Sequence, residues 1–289
     1  MSLKNNETID PIFCVSEVVK CEKDPLYFIE NYLKLEVPGG VINFTPHCGQ
    51  LEVLDTLVSE NNIIINKTRQ IGISSIIMAY ILYLCIFNKN VQAGFVSSSD
   101  SESIDIIKKM KNMIEGLPEW LKPEFDISNA QSFRLKYSNS AVHSSNVNIM
   151  APHTLFCGKA ISILIINEAA FIPKISDAFD ALLPSLLTAQ EFAKKYDIPY
   201  GTIIMSTPNK TTKKGKWFYD QVVKATDPVE PGFKLINMHW KNIPKYADDP
   251  EWYADKCELL GHDKMSISQE LNLNFHDDCD NIGGNNVFK

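Results

Sequence analysis

Asn62-Ile63-Ile64-Ile65-Asn66-Lys67-Thr68-Arg69-Gln70-Ile71-Gly72-Ile73-Ser74-Ser75 is the stretch on which the fold turns. Three consecutive β-branched residues predict a short strand, the residues after Asn66 a turn, and the apolar run from Ser74 to Phe87 a helix. Strand, glycine-bearing turn and helix form the context that a phosphate-binding loop requires. The start of a helix offers unpaired backbone N–H groups and the positive end of its dipole. Against the template GxxxxGK[ST], Gly72 and Ser74 fit, while Lys67 stands at the first glycine and Ile73 at the usual lysine. Gly72 lets backbone amides approach phosphate oxygens, and the Ser74 hydroxyl can reach Mg²⁺. A cation against the phosphates must then come from Lys67 or Arg69. From this loop alone, a strand-to-helix turn that binds nothing reads equally well.

Outward from the loop, the same alternation continues. Pro25–Leu33 and Pro46–Ser59 have helical spacing, with Thr45 as the expected N-cap of the second. Downstream, Val91–Val96 reads as a strand and Asp100–Leu117 as an amphipathic helix with Lys108, Lys109 and Lys111 on its wet side. Phe133–Tyr137 and Val147–Met150 read as a hairpin pair, Ser176–Lys195 as a helix, and Phe233–Met238 as a late strand. Strands alternating with helices predict a mostly parallel sheet covered on both faces.

Composition narrows the class. The chain has 289 residues, 45% hydrophobic and 22% charged, as in ordinary globular proteins. No apolar run approaches the length needed to span a bilayer, and the first residues lack a signal-peptide core. Seven cysteines, scattered and never spaced CxxC, argue for reduced thiols rather than a zinc site or disulfide framework. A net charge of −7 leaves no broad attraction for nucleic acid, so any DNA contact must be a local patch. Arg69 and Arg134 are the only arginines, which gives the loop position of Arg69 added weight.

Two further strands end in chemistry. Ile163-Leu164-Ile165-Ile166-Asn167-Glu168 is a continuous apolar run ending in two polar residues, as a Walker B strand does. The usual order there is Asp, which holds the metal through water, then Glu, which polarises the attacking water. Glu168 is in place, but Asn167 brings no charge, so Mg²⁺ is expected to be held less tightly and hydrolysis to be slow. Ile203-Ile204-Met205-Ser206-Thr207-Pro208-Asn209 is a buried strand ending in hydroxyls that can sense a γ-phosphate.

In this order and spacing, the three segments resemble the large terminase subunits of tailed phages, closest to the T-even type. Asp24-Pro25-Leu26-Tyr27-Phe28 and Leu117-Pro118-Glu119-Trp120-Leu121 extend the likeness over about residues 25–275. The resemblance implies an α/β P-loop NTPase fold of the RecA-like type, a mostly parallel sheet flanked by helices, with an added strand carrying the catalytic glutamate. It implies ATP and Mg²⁺ as cofactors, Glu168 and Arg69 as catalytic residues, and Gln50 reading adenine. Lys67, Thr68, Arg69, Gln70, Ile71, Gly72, Ile73, Ser74 and Ser75 would hold nucleotide, Ser74 and Asn167 the Mg²⁺ through water. Ser206, Thr207, Pro208 and Asn209 would couple nucleotide state to motion. The front position of Lys67 partly replaces the lysine missing at Ile73, as in some large terminases.

The expected organisation is a weakly ordered arm over residues 1–24, an ATPase domain over 25–276, and a linker over 277–289 leading toward a nuclease domain that the chain lacks. The expected function is an ATPase motor driving double-stranded DNA into a procapsid, working in the host bacterial cytoplasm and transiently at the portal. The resemblance supplies the partners: portal protein, small terminase subunit, and further copies in a ring. Lys210-Thr211-Thr212-Lys213-Lys214-Gly215-Lys216 is the densest basic stretch, and Lys213, Lys214 and Lys216 are candidates for DNA contact. A solvated lysine loop explains the same residues. A nucleotide-binding assembly module with little hydrolysis is the alternative function, supported by Asn167. A helicase-like remodeller is a third, disfavoured because the chain carries one RecA-like core.

Overall fold

Ile63, Ile64 and Ile65 are each completely buried, which requires both faces of their strand to be covered. The computed structural model describes residues 10–209, 215–227 and 232–275, and the fold is built from these. In chain order the helices are α1 (Pro11–Lys23), α2 (Pro25–Tyr32), α3 (Cys48–Ser59), α4 (Ile73–Phe87), α5 (Asp100–Glu115), α6 (Ile175–Lys195), α7 (Gly215–Ala225), α8 (Pro244–Ala247), α9 (Trp252–Leu259) and α10 (Lys264–Glu270). The strands are β1 (Lys34–Val37), β2 (Gly40–Asn43), β3 (Asn62–Lys67), β4 (Gln92–Ser97), β5 (Phe125–Ser128), β6 (Ser132–Leu135), β7 (Ala141–Asn146), β8 (Ile163–Asn167), β9 (Gly201–Ser206) and β10 (Lys234–Met238).

Among the described residues, eight strands form one sheet in the order β10-β3-β9-β8-β4-β7-β6-β5. From β10 to β7 every pairing is parallel, and β5 and β6 add an antiparallel edge. β9 therefore lies between β3 and β8, with Asn66 opposite Ser206 and Asn167 opposite Met205. That register brings the ends of the three polar-terminated strands to one edge of the sheet. In open α/β sheets, ligands bind at this carboxyl edge.

Side-chain alternation sends alternate residues to two cores. Ile63, Ile65, Ile165 and Met205 pack with α3, α4 and α5 on one face. Ile64, Leu164, Ile166 and Ile204 pack with α6 and α7 on the other. α4 is apolar around most of its circumference, as a helix between a sheet and further helices must be. Gly201 begins β9 close against the backbone just before β3, where a Cβ would lie 2.0 Å from the carbonyl oxygen of Asn61.

Several local expectations are corrected. Pro11–Lys23 is a helix rather than a weakly ordered arm, capped by the Asp10 side chain and started by Pro11. Its buried Glu17 pairs with Lys20 at 2.7 Å and accepts from the Tyr32 and Tyr27 hydroxyls, which together hold the carboxyl down to about 2. The cap of α3 is His47, not Thr45, in a reciprocal box with Gln50. The hairpin partner of β6 is β7, while Val147–Met150 lies outside the strands. Residues 136–140 make the connection, closed by the Leu135 N–H to the Ser140 carbonyl at 2.9 Å, with Asn139 in the left-handed conformation. The β1–β2 hairpin and β5 carried too short an apolar pattern to be read. Lys213 and Lys214 and the linker at 277–289 lie outside the described residues. Lys216, at the start of α7, pairs with Asp220 at 2.6 Å on an exposed surface. Among the described residues, no helix is long and apolar enough to cross a membrane.

Candidate nucleotide-binding site

The loop after β3 is held from behind before it can hold anything in front. The ring Nδ1 of His47 accepts the backbone N–H of Gln50 at 3.3 Å, so the proton sits on Nε2, which donates to the Ile71 carbonyl at 3.0 Å. Gln50 spends both ends of its amide. Its oxygen accepts from the His47 N–H, and its nitrogen donates to the Gly72 carbonyl at 2.9 Å. Thr68 is fully buried, its hydroxyl donating to the Leu271 carbonyl and accepting from the Trp240 N–H. Gln70 and Gly72 both have positive φ, at 61° and 76°. These contacts fix the loop as a sharp curve with its interior toward the first turn of α4. No side chain caps that turn, so its leading N–H groups are directed at whatever enters the curve.

Gly72 is the tight point of the curve. A Cβ there would lie 2.8 Å from Gln50 Nε2, in a conformation that costs a non-glycine residue about 1–2 kcal/mol. Gly72→Ala is expected to lower unfolding stability by at least that amount and to dislodge Gln50. Denaturant unfolding measures the first effect, and an unchanged midpoint would show that the curve is looser than described.

A cavity of about 640 Å³ opens in front of the loop. It is lined by Lys67, Arg69 to Ser74, Asn167 and Glu168, so most of the residues selected from sequence converge there. Lys67 is buried, and its ammonium lies 2.6 Å from Glu168 Oε1, whose side chain is 25% exposed. The other Glu168 oxygen accepts the backbone N–H of Thr207 at 3.3 Å. Ser206 Oγ accepts the Ala170 N–H at 3.1 Å, so the end of β9 touches the glutamate and the turn that follows it. Glu168 itself sits in the left-handed region, with φ of 54°. Strain of this kind, about 1–3 kcal/mol, persists where surrounding contacts over-determine a side chain's position.

Arg69 is directed partly elsewhere. Its guanidinium pairs with Glu270 at 2.7 Å and lies 5.6 Å from the centre of the Phe171 ring. Gln50 and Thr68 support the loop from behind, and Ser75 lines a neighbouring groove instead of the cavity. Pro208 follows Thr207, and Asn209 is buried.

The donor set fits Mg²⁺. Ser74 Oγ donates to Asn167 Oδ1 at 3.2 Å, and three carboxylates, Glu168, Glu102 and Asp105, line the same cavity. These are hard oxygen ligands, and Mg²⁺ is commonly bound through one or two carboxylates with substrate phosphates and waters supplying the rest. Among the described residues there is no cluster of three or more His, Cys, Asp or Glu that could cage a metal by itself.

Sequence reading did not select Glu102, Asp105, Lys109, Ser98 or Phe171, which also line the cavity. Glu102 carried a signal of a different kind. Ser99-Asp100-Ser101-Glu102 matches a capping box, and Ser99 does cap α5. The His47 clamp carried none, because its contact with Ile71 spans 24 residues of chain.

No protein-family model matches this sequence. Among solved structures, the large-terminase ATPase domain of Thermus phage P74-26, in a point-mutant form, aligns with a TM-score of 0.60 at 17% identity. That alignment covers 81% of this chain and 95% of the other. The HK97 bacteriophage large terminase aligns at 0.62 and 16% identity, over 87% of this chain and 54% of the other. The large terminase of a thermophilic bacteriophage, in complex with ATP-γ-S, aligns at 0.58 and 9% identity, over 80% and 53%. This chain spans about half the length of the last two. Its fold is the one seen in these large-terminase ATPase domains, a mostly parallel α/β sheet flanked by helices.

Proposed function

We propose, from the fold this chain has in common with phage large-terminase ATPase domains, that it binds ATP with Mg²⁺ and hydrolyses it to drive double-stranded DNA into a viral procapsid. The observation that carries the reading is the meeting of Lys67, Ser74, Asn167 and Glu168 in one cavity at the carboxyl edge of β3, β9 and β8. The working unit is residues 25–276 together with helix α1, whose Cys21 lies in the same core, and 277–289 serves as a linker. Partners are DNA, portal protein, small terminase subunit and further copies in a ring, in the host bacterial cytoplasm.

The chemistry follows from the charges. The N–H groups at the start of α4 and the Lys67 ammonium receive the phosphates. Phosphate oxygens compete with Glu168 for that ammonium, and a Glu168 released from it can orient water and accept its proton. Ser74 and Asn167 would hold Mg²⁺ through water, and the ion would supply positive charge against the phosphate oxygens. Arg69 reaches transition-state charge when its pair with Glu270 opens. Ser206 and Thr207, bonded to Glu168 and its turn, pass the change to Pro208, Asn209 and the chain beyond. Lys213, Lys214 and Lys216 follow in that chain and offer sequence-independent phosphate contacts. Gln50 acts on nucleotide through the loop it clamps, and reads adenine only if it exchanges the Gly72 carbonyl for the base.

Phosphate release from ATP, measured with and without double-stranded DNA, tests the proposal. ATP turnover that rises with DNA is expected. Absence of ATP binding would remove the site, and turnover indifferent to DNA would remove the motor. A second reading, a nucleotide-binding assembly module with little hydrolysis, is favoured by the uncharged Asn167. It expects binding without turnover.

A further inference from the structure

Asn167 occupies a position where a nucleotide site of this kind would gain from a carboxylate, yet it does not stand there alone. Its Oδ1 accepts from Ser74 Oγ at 3.2 Å, and its Nδ2 donates to Glu102 Oε1 at 2.5 Å. The amide is thus fixed at both ends, and its far end is bonded to a carboxylate that lines the same cavity. Glu102 is itself held. Its second oxygen accepts from the Ser98 N–H at 3.0 Å and from Ser98 Oγ at 2.7 Å, in the turn between β4 and α5.

We infer that Glu102 supplies the negative charge that position 167 lacks, and that Ser74, Asn167 and Glu102 together form the divalent-cation side of the nucleotide site. The inference rests on the nucleotide-binding reading of the cavity. A capping-box carboxylate returns to the N–H of its own cap residue, here Ser99. Glu102 instead bonds Ser98, one residue earlier, and turns its other oxygen to Asn167. Among the described residues no lysine or arginine forms an ion pair with Glu102, and the Lys67 ammonium is engaged by Glu168. Asp105, one turn further along α5, lines the cavity as well and adds to its negative potential; Lys109 lines it from the following turn. A carboxylate already held by two donors needs little ordering to bind a cation or its water shell. The formal charge at this edge is then the one an Asp at 167 with a neutral residue at 102 would give.

The test is the gain in affinity for ATP-γ-S that Mg²⁺ produces, measured by calorimetry on the full chain with and without the metal. Glu102→Gln keeps the side chain's size and an acceptor for Ser98. It is expected to lose roughly 10-fold or more of the Mg²⁺-dependent gain while metal-free affinity holds or rises. Glu102→Asp, which keeps the charge, should retain most of it. Glu102→Gln combined with Asn167→Asp should recover it, because the charge has moved across one hydrogen bond. An unchanged thermal unfolding midpoint separates these effects from loss of fold. A Mg²⁺-dependent gain in Glu102→Gln equal to the parent's would overturn the inference, and so would failure of the double variant to recover it. A parent chain that binds no ATP-γ-S with or without Mg²⁺ overturns the nucleotide reading beneath it, a distinguishable result.

Discussion

Glu168→Gln is expected to reduce ATP turnover by roughly 10²–10⁴-fold while leaving nucleotide binding intact. The substitution keeps the shape of the side chain and its place at the end of β8, and it removes the one carboxylate bonded to both Lys67 and Thr207. Binding should hold or tighten, because the Lys67 ammonium no longer has an anionic competitor when phosphate arrives. Single-turnover phosphate release and equilibrium binding of ATP-γ-S, measured on the same preparation, separate the two effects. A Glu168→Gln chain that hydrolyses as fast as its parent would remove Glu168 from catalysis and leave the motor reading without its base. If the parent binds but never turns over, the assembly-module reading takes its place.

Lys67→Ala acts on the opposite quantity. Nucleotide affinity should fall about 10- to 150-fold, the equivalent of losing one charge-assisted hydrogen bond of about 1.5–3 kcal/mol. Sequence alone left Lys67 and Arg69 as the two candidates inside the loop for the phosphate cation. Both line the cavity and both are paired, but Lys67 is buried against Glu168 whereas Arg69 is half exposed against Glu270. Arg69→Ala should therefore weaken ground-state binding less than Lys67→Ala and show its larger effect on turnover. Equal affinity for ATP-γ-S in the parent and Lys67→Ala would sink the assignment of the phosphate cation.

Asn167→Asp without a change at Glu102 carries a different expectation from the one sequence suggests. By the sequence alone, an aspartate at 167 would simply tighten Mg²⁺ and raise the rate. In the structure the new carboxylate would face Glu102 at the distance of the present 2.5 Å hydrogen bond. Two like charges there repel unless a cation lies between them. Any gain should thus appear only with Mg²⁺.

What the sequence determined by itself is the set of parts whose signals are local. The β-branched run before Gly72, the apolar strands ending in Asn167 and Ser206, and the apolar helix α4 are each fixed by neighbours a few residues away, through periodicity and backbone preference. Residue types at the strand ends were legible for the same reason, since a polar residue after a continuous apolar run must emerge at an edge. The tertiary structure decided which of those ends meet. β9 lies between β3 and β8, and that order places Lys67 against Glu168, 101 residues away in sequence. It also places Glu102, 65 residues from Asn167, beside a position that looked deficient on its own. Gln50 shows the converse. The resemblance assigns its amide to adenine, whereas in the fold that amide bonds His47 and the Gly72 carbonyl. Periodicity constrains which face a side chain takes, whereas the partner it finds depends on strand order and register. Those are set by packing over the whole sheet, beyond the reach of any local window.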